Sequence, residues 1–199
     1  SECGDAVDTI VWLNADANEL TGGTRARALE ALDQWVRRGG RLVVCQGGET
    51  QRVEPFASLL PIETTGPQGG WSIPMVETRD LTPLRELAMK GVPVSGNEVM
   101  FNQALRDWRR PTTAPFKMAL VAPRRGAVVD QWMPTPPDAG AVTVDPSQKQ
   151  WPFIVRQTVG LGTVTWVATD LGSRTLTSGL RKGWPALWDA VLGLNANAT

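Results

Sequence analysis

Hydrophobic positions along the chain form a regular opening, an irregular middle and a regular close. Asp8-Thr9-Ile10-Val11-Trp12-Leu13 is a short apolar run between polar residues, which predicts a strand buried on both faces. Asn14 to Asn18 then forms the loop at its C-terminal end. From about 24 to 38 the period changes: Ala28, Leu29, Leu32, Trp35 and Val36 recur at spacings of three and four, with Arg25, Arg27, Glu30, Asp33, Arg37 and Arg38 on the other side. This is an amphipathic helix with Thr24 as N-cap and Gly39-Gly40 as its stop. The strand Leu42 to Cys45 completes a β-α-β unit, whose crossover should be right-handed and its strands parallel.

Gly47 to Thr50 is expected to begin another helical turn, and Pro55 to Pro61 to continue as a short helix ended by proline. The texture then changes. Glycine and proline crowd into Gly66-Pro67-Gln68-Gly69-Gly70 and Met133-Pro134-Thr135-Pro136-Pro137-Asp138. Strand patterns run over Phe116 to Val121, Ala127 to Trp132 and Ala141 to Val144, and short helices are expected at Leu81 to Met89 and Met100 to Trp108. Residues 62–150 therefore read as a β-rich insertion or lobe within a single domain spanning 1–199.

Regular periodicity returns at Pro152 to Val159 and Thr163 to Thr169, two strands joined by Gly160-Leu161-Gly162 and hence an antiparallel hairpin. A closing helix over about 184–193 carries Trp184, Leu187, Trp188, Val191 and Leu192 on one stripe that should face the sheet. No internal repeat is present.

Composition narrows the partners. The 199 residues are 42% hydrophobic and 20% charged, ordinary values for a globular chain able to bury a core. Lys and Arg together number 20 and so do Asp and Glu, giving zero net charge, and there is no long basic run. A row of phosphates would go unneutralised, so nucleic acid is not an expected partner. No apolar run approaches the roughly 20 residues that cross a bilayer. The opening Ser1-Glu2-Cys3-Gly4-Asp5 lacks an initiator methionine, which suggests a soluble piece of a longer protein. Cys3 precedes one strand and Cys45 ends the other, about 20 Å apart at about 3.3 Å per residue, too far to bridge.

The pieces Val7-Asp8-Thr9-Ile10-Val11-Trp12-Leu13, Gly39-Gly40-Arg41-Leu42-Val43-Val44 and Gly160-Leu161-Gly162-Thr163-Val164-Thr165-Trp166-Val167-Ala168-Thr169-Asp170-Leu171 together resemble the class I glutamine amidotransferase-like fold. They look most like its degenerate members appended to bacterial membrane-associated proteins. The resemblance covers about half the chain and implies an α/β fold. Its form would be a three-layer flavodoxin-like sandwich with a mostly parallel central sheet, a late antiparallel hairpin and the β-rich insertion. It also implies a protein partner, or adjacent domains of a membrane-anchored parent chain.

Active relatives carry Gly-x-Cys-x-Gly at the strand-to-helix turn, and this chain has Val43-Val44-Cys45-Gln46-Gly47, without the leading glycine. Their His-Pro-Glu corresponds here to Ala168-Thr169-Asp170, and the chain contains no histidine at all. A thiol acting on an amide or ester needs a base, so no catalytic residue is expected. Were the chain a cysteine-dependent hydrolase or amidotransferase, Cys45 would act with Glu49 or Asp170. Without that chemistry, Cys45 is a packed small hydrophobe at the end of a buried strand.

Ligand-binding candidates are Asn14, Asp16, Gly47, Gly48 and Asp170, all expected at the C-terminal edge of the sheet, where open α/β sheets bind ligands. Gly47-Gly48 lacks the lysine and hydroxyl of a phosphate loop, and the aspartates also suit loop or helix-cap roles. With no histidine and two separated cysteines, no metal site and no cofactor are expected. Nine tryptophans remain. Trp12, Trp35, Trp166, Trp184 and Trp188 follow core patterns, whereas Trp71, Trp108, Trp132 and Trp151 surround the irregular segment and, if exposed, would offer a carbohydrate-binding platform.

Overall fold

The computed structural model describes residues 7–22, 26–64, 71–81, 84–86, 115–135, 149–180 and 184–194. Thr24, Cys3, Trp108, the glycine-rich 66–70 segment, the strand expected at 141–144 and the helix expected at 100–108 lie outside them.

The opening β-α-β unit forms as its periodicity predicts. Strand β1 (Thr9–Leu13) leads through a 3-10 turn at Ala17–Leu20 to helix α1 (Ala26–Arg37) and then to β2 (Arg41–Cys45). The strands are parallel, Thr9 opposite Arg41 and Leu13 opposite Cys45. Gly39 adopts φ 120°, a conformation side chains resist, and its N–H closes on the Val36 carbonyl at 2.9 Å, ending the helix.

The remaining strands are β3 (Met75–Thr78), β4 (Phe116–Ala119), β5 (Val128–Pro134), β6 (Gln150–Val159) and β7 (Gly162–Val167). Helices α2 (Arg174–Leu180) and α3 (Trp184–Leu192) close the fold. The main sheet has the order β1-β2-β7-β6-β5, and β3 and β4 form a separate antiparallel pair.

This is a mixed α/β architecture, and its sheet corrects the expectation of mostly parallel strands. β1, β2 and β7 run parallel, but the expected hairpin sets β6 antiparallel to β7, and β5 adds antiparallel to β6. Parallel and antiparallel pairings are therefore equal in number. β5 also shows that part of the 62–150 segment belongs to the main sheet. The β3–β4 pair is tied to the same sheet by Ala119 N–H to the Ala168 carbonyl at 2.7 Å and by the Thr169 hydroxyl to the Lys117 carbonyl at 2.7 Å.

Strand β1 is not buried on both faces. Among the described residues it is an edge strand paired with β2, and Val11 and Leu13 remain 38% and 40% exposed. β2 has a similarly apolar sequence but strands on both sides, and Leu42, Val43, Val44 and Cys45 are all buried. Full burial of each aliphatic side chain there contributes about 1.5–3 kcal/mol.

Successive residues alternate between the two faces of the sheet. On one face lie Leu42, Val44, Val164 and Trp166, covered by α1; Gly162, on this face, sits so close to the Val36 and Gly40 carbonyls that a Cβ would collide with them. The opposite face carries Arg41, Val43, Cys45, Thr163, Thr165 and Val167, and the C-terminal end of α3 packs there. Leu187 and Val191 of α3 are fully buried, whereas Trp184 and Trp188 are half-buried and meet edge to face at 6.0 Å.

The helix expected over Pro55 to Pro61 is instead a 3-10 helix at Thr50–Phe56, with Pro55 inside its last turn. Phe56 from this element is fully buried and meets the Trp12 ring edge to face at 5.0 Å. The strand expected to run to Val121 ends at Ala119. Among the described residues, no helix is long and apolar enough to cross a membrane.

Candidate functional site

Parallel pairing brings the C-terminal ends of β1, β2 and β7 to one edge, with Leu13, Cys45 and Val167 in register. Sequence-predicted candidates therefore meet there, but most of their polar groups are occupied by the protein itself.

Cys45 is fully buried, a free thiol with no exposure. Burial pushes the thiol up to about 12; the Leu171 N–H works weakly against this, and the Asp170 carboxylate adds to it. Asp170 thus stands near the sulfur with the wrong sign to form a thiolate. Its own Oδ1 accepts the Gly172 N–H at 2.8 Å, the geometry of an aspartate closing a turn.

Glu49 is turned to a cation. Its two carboxylate oxygens accept from Nε and Nη2 of Arg52, both at 2.8 Å, and it is not among the groups acting on Cys45. Arg52 also donates from Nη1 to the Asn14 carbonyl at 2.9 Å, joining the exit of β1 to the 3-10 helix. Asn14 has φ 41°, in the left-handed region that asparagine tolerates better than most residues. Its carboxamide fills the space a side chain at Gly47 would need, and the backbone of Gly48 faces the Lys117 stem.

Asp16 caps the first 3-10 turn: one carboxylate oxygen accepts both the backbone and the side-chain N–H of Asn18 at 2.9 Å. The backbone N–H of Asn18 is the larger cause of a carboxyl held below its usual range, with smaller help from the Asn18 amide and Arg52. Asp16 therefore has the helix-cap role that its residue type also allowed.

Gln46 was not distinguished in the sequence. It is fully buried, its Nε2 donates to the Gly47 carbonyl at 3.1 Å, and its Oε1 has no partner. Arg52 was also passed over, although its position three residues after Glu49 on a helical turn is the spacing at which opposite charges pair. Among the described residues, no group of three or more His, Cys, Asp and Glu is placed to hold a metal ion.

Trp132 and Trp151 do not share a face. Trp151 is buried, and Trp71 is half-buried with its indole N–H on the Thr50 carbonyl at 3.2 Å. Trp132 is 42% exposed and pairs with Pro152, whereas Trp151 pairs with Met133, so the two rings point to opposite faces.

Two cavities lie away from the C-terminal edge of the parallel strands. One of about 530 Å³ is lined by Val7, Asp8, Trp35, Arg38 and Gly40, at the start of β1 and the end of α1. The other, about 140 Å³, lies on the α3 side of the sheet between Arg41, Arg156, Thr163, Thr165 and Gly193. None of the sequence-predicted site residues lines either of them.

No family model matches the chain, and no curated protein matches it in sequence. Among solved structures its fold is similar to a cytoplasmic protein from Salmonella typhimurium at 15% identity, covering 94% of this chain and 71% of that one with a TM-score of 0.55. A second cytoplasmic protein, from Salmonella typhimurium LT2, matches with the same identity and coverage and a TM-score of 0.53. An exo-beta-1,4-mannosidase from Opitutaceae bacterium strain TAV5 matches 94% of this chain and 25% of its own at 16% identity, with a TM-score of 0.43. At such identities the first two likenesses describe a shared fold.

Proposed function

We propose that this chain is a non-catalytic interaction or scaffolding domain of a larger bacterial protein, with a glutamine amidotransferase-like, three-layer flavodoxin-like fold. The parallel β1-α1-β2 unit, the late hairpin, and helices packed on opposite faces of the sheet all support the fold assignment. Its partner is a protein or an adjacent domain of a membrane-anchored parent chain.

One observation carries the non-catalytic reading: the Cys45 thiol at the end of β2 is sealed in the core. With the thiol pushed up to about 12, the thiolate is strongly disfavoured at pH 7. Activated cysteines titrate at about 3.5–7.5, in electropositive and partly open surroundings. Cys45 has neither feature, and the chain has no histidine to take its proton. The carboxylates that could substitute are engaged elsewhere, Asp170 with Gly172 and Glu49 with Arg52.

The direct test offers glutamine and small esters to the purified domain and to its Cys45→Ala variant. Neither should release ammonia or acid above the uncatalysed rate. Turnover by the wild type that disappears in Cys45→Ala would overturn the proposal.

A further inference from the structure

The polar residues on the α3 side of the sheet form a pattern that the amidotransferase-like reading does not use. Toward the strand C-termini this face is apolar, with Val43, Cys45, Val167 and Ile154. Toward the starts of β2 and β7 it becomes polar: Arg41 stands opposite Thr163, Thr163 opposite Thr158, and Thr165 opposite Arg156. The end of α3 overhangs this floor at Leu192 and Gly193, enclosing about 140 Å³. That is room for a few waters or one small polyatomic ion.

The free hydrogen-bonding capacity of the pocket consists mainly of donors. Arg156 is largely used: Nη2 donates to the Ala190 and Val191 carbonyls, both at 3.1 Å, and meets the Asp130 carboxylate at 3.1 Å, while Nε reaches the Thr165 hydroxyl at 3.3 Å. These contacts engage two of the terminal carbonyls of α3, those of Ala190 and Val191, which would otherwise repel an anion. Nη1 is left beside Gly193, where a Cβ would strike the guanidinium. Arg41 makes no side-chain hydrogen bond or ion pair with any described residue, and its neighbour Asp8 contributes only a backbone carbonyl to the Arg41 N–H. The Thr163 hydroxyl is likewise without a partner among the described residues. Among the described residues, the guanidinium charges of Arg41 and Arg156 stand against the carboxylate of Asp130.

We propose that this pocket is an anion site for a tetrahedral oxyanion, the phosphate group of a small molecule. The Arg41 guanidinium would form the charged clamp, with Thr163 and Arg156 Nη1 as the remaining donors. Arginine suits this role because its planar fork can donate two parallel hydrogen bonds to one phosphate. A cation would meet the Arg41 and Arg156 guanidinium charges here, and an apolar ligand would leave Arg41 and Thr163 desolvated without partners.

The test is titration of the folded protein with inorganic phosphate at fixed ionic strength, with chloride as the balancing ion. Binding is read from thermal stability and from the amide resonances of Thr163, Thr165 and Gly193. A saturable shift confined to these residues is expected. Because Arg41 is exposed, Arg41→Met should keep its melting temperature in chloride yet weaken phosphate binding roughly tenfold or more, as loss of a charge-assisted pair implies. Thr163→Val gives a second variant and should weaken binding without removing charge. Arg125→Met, at an exposed arginine in a turn outside the pocket, should bind as the wild type does. A glycerol phosphate arm separates free from esterified phosphate; binding of either with the Arg41 dependence supports the site. No saturable shift with either, a shift unchanged in Arg41→Met, or an equal loss in Arg125→Met would overturn it.

Discussion

The Trp35 indole lies against the backbone of Gly40, so near that a Cβ on Gly40 would penetrate its six-membered ring. The contact fixes the angle at which α1 hands over to β2, because Gly40 also donates its N–H to the Trp35 carbonyl at 3.1 Å. Gly40→Ala should therefore cost about 1–3 kcal/mol, the usual penalty for overfilling a packed site. The same substitution in a Trp35→Leu background should cost clearly less, since the atom it strikes is gone. Urea denaturation of the four proteins measures both; additive costs would show that the ring is not the obstacle.

Cys45 makes a prediction about alkaline stability. Its ordinary value is 9.0 and burial raises it to about 12, so the folded state favours the neutral thiol. The associated stability is fully present below about pH 9 and is lost as pH rises toward 12, at up to about 1.4 kcal/mol per pH unit. Cys45→Ala removes this dependence. Between about pH 8 and pH 10.5 the wild type should lose stability relative to the variant, as measured by denaturation at each pH. Parallel curves would mean that the thiol ionises as freely in the fold as out of it. Over the same range, alkylation of Cys45 should track global unfolding.

How far the sequence reaches is clear from particular residues. Ala28, Leu29, Leu32, Trp35 and Val36 gave α1 because a helical stripe is a local property, and the same holds for the α3 stripe and the Gly160-Leu161-Gly162 hairpin. Val11 and Leu13 misled because an apolar run signals a strand but not how many neighbours it has; that number depends on long-range pairing. The strand expected over Ala127 to Trp132 reads as part of a lobe for the same reason, since its partner β6 begins only at Gln150. At the candidate site, strand ends can be placed from the pattern alone, whereas burial of the Cys45 thiol and the Arg52 contacts are tertiary facts. The Arg41–Arg156 pocket was missed because its residues come from three strands whose registers are not written locally.

Asp16 and Asp130 should respond to acid in opposite senses. Burial raises Asp130 above 3.8, with Arg156 opposing, so its contribution to stability is fully present below pH 3.8 and is lost as pH rises through the raised value. Asn18 holds Asp16 below 3.8, so its contribution is present above pH 3.8 and is lost as pH falls through the lowered value. From about pH 3 to about pH 6, the stability difference between wild type and Asp130→Asn should shrink, whereas that between wild type and Asp16→Asn should grow. Denaturation midpoints across that range decide it, and a common sign for both variants would contradict the two environments.

Arg52 offers a test of what holds the candidate edge in shape. Its Nη1 reaches the Asn14 carbonyl, on a residue already at φ 41°, while Nε and Nη2 hold Glu49. The Glu49 side chain is 68% exposed, so this ion pair is screened by water and contributes at most about 1 kcal/mol. The bond to Asn14 spans 38 positions in sequence and ties the β1 exit to the 3-10 helix, so its loss frees a loop as well as a contact. Arg52→Ala should therefore destabilise by about 1–1.5 kcal/mol, and Glu49→Gln, which leaves the carbonyl contact intact, by about 0.5 kcal/mol or less. Raising the salt concentration should erase the Glu49→Gln cost and leave most of the Arg52→Ala cost, because screening acts on the pair of charges more than on a hydrogen bond to a neutral carbonyl. Equal costs that vanish together in salt would assign the whole effect to the ion pair and leave Asn14 held by its own turn.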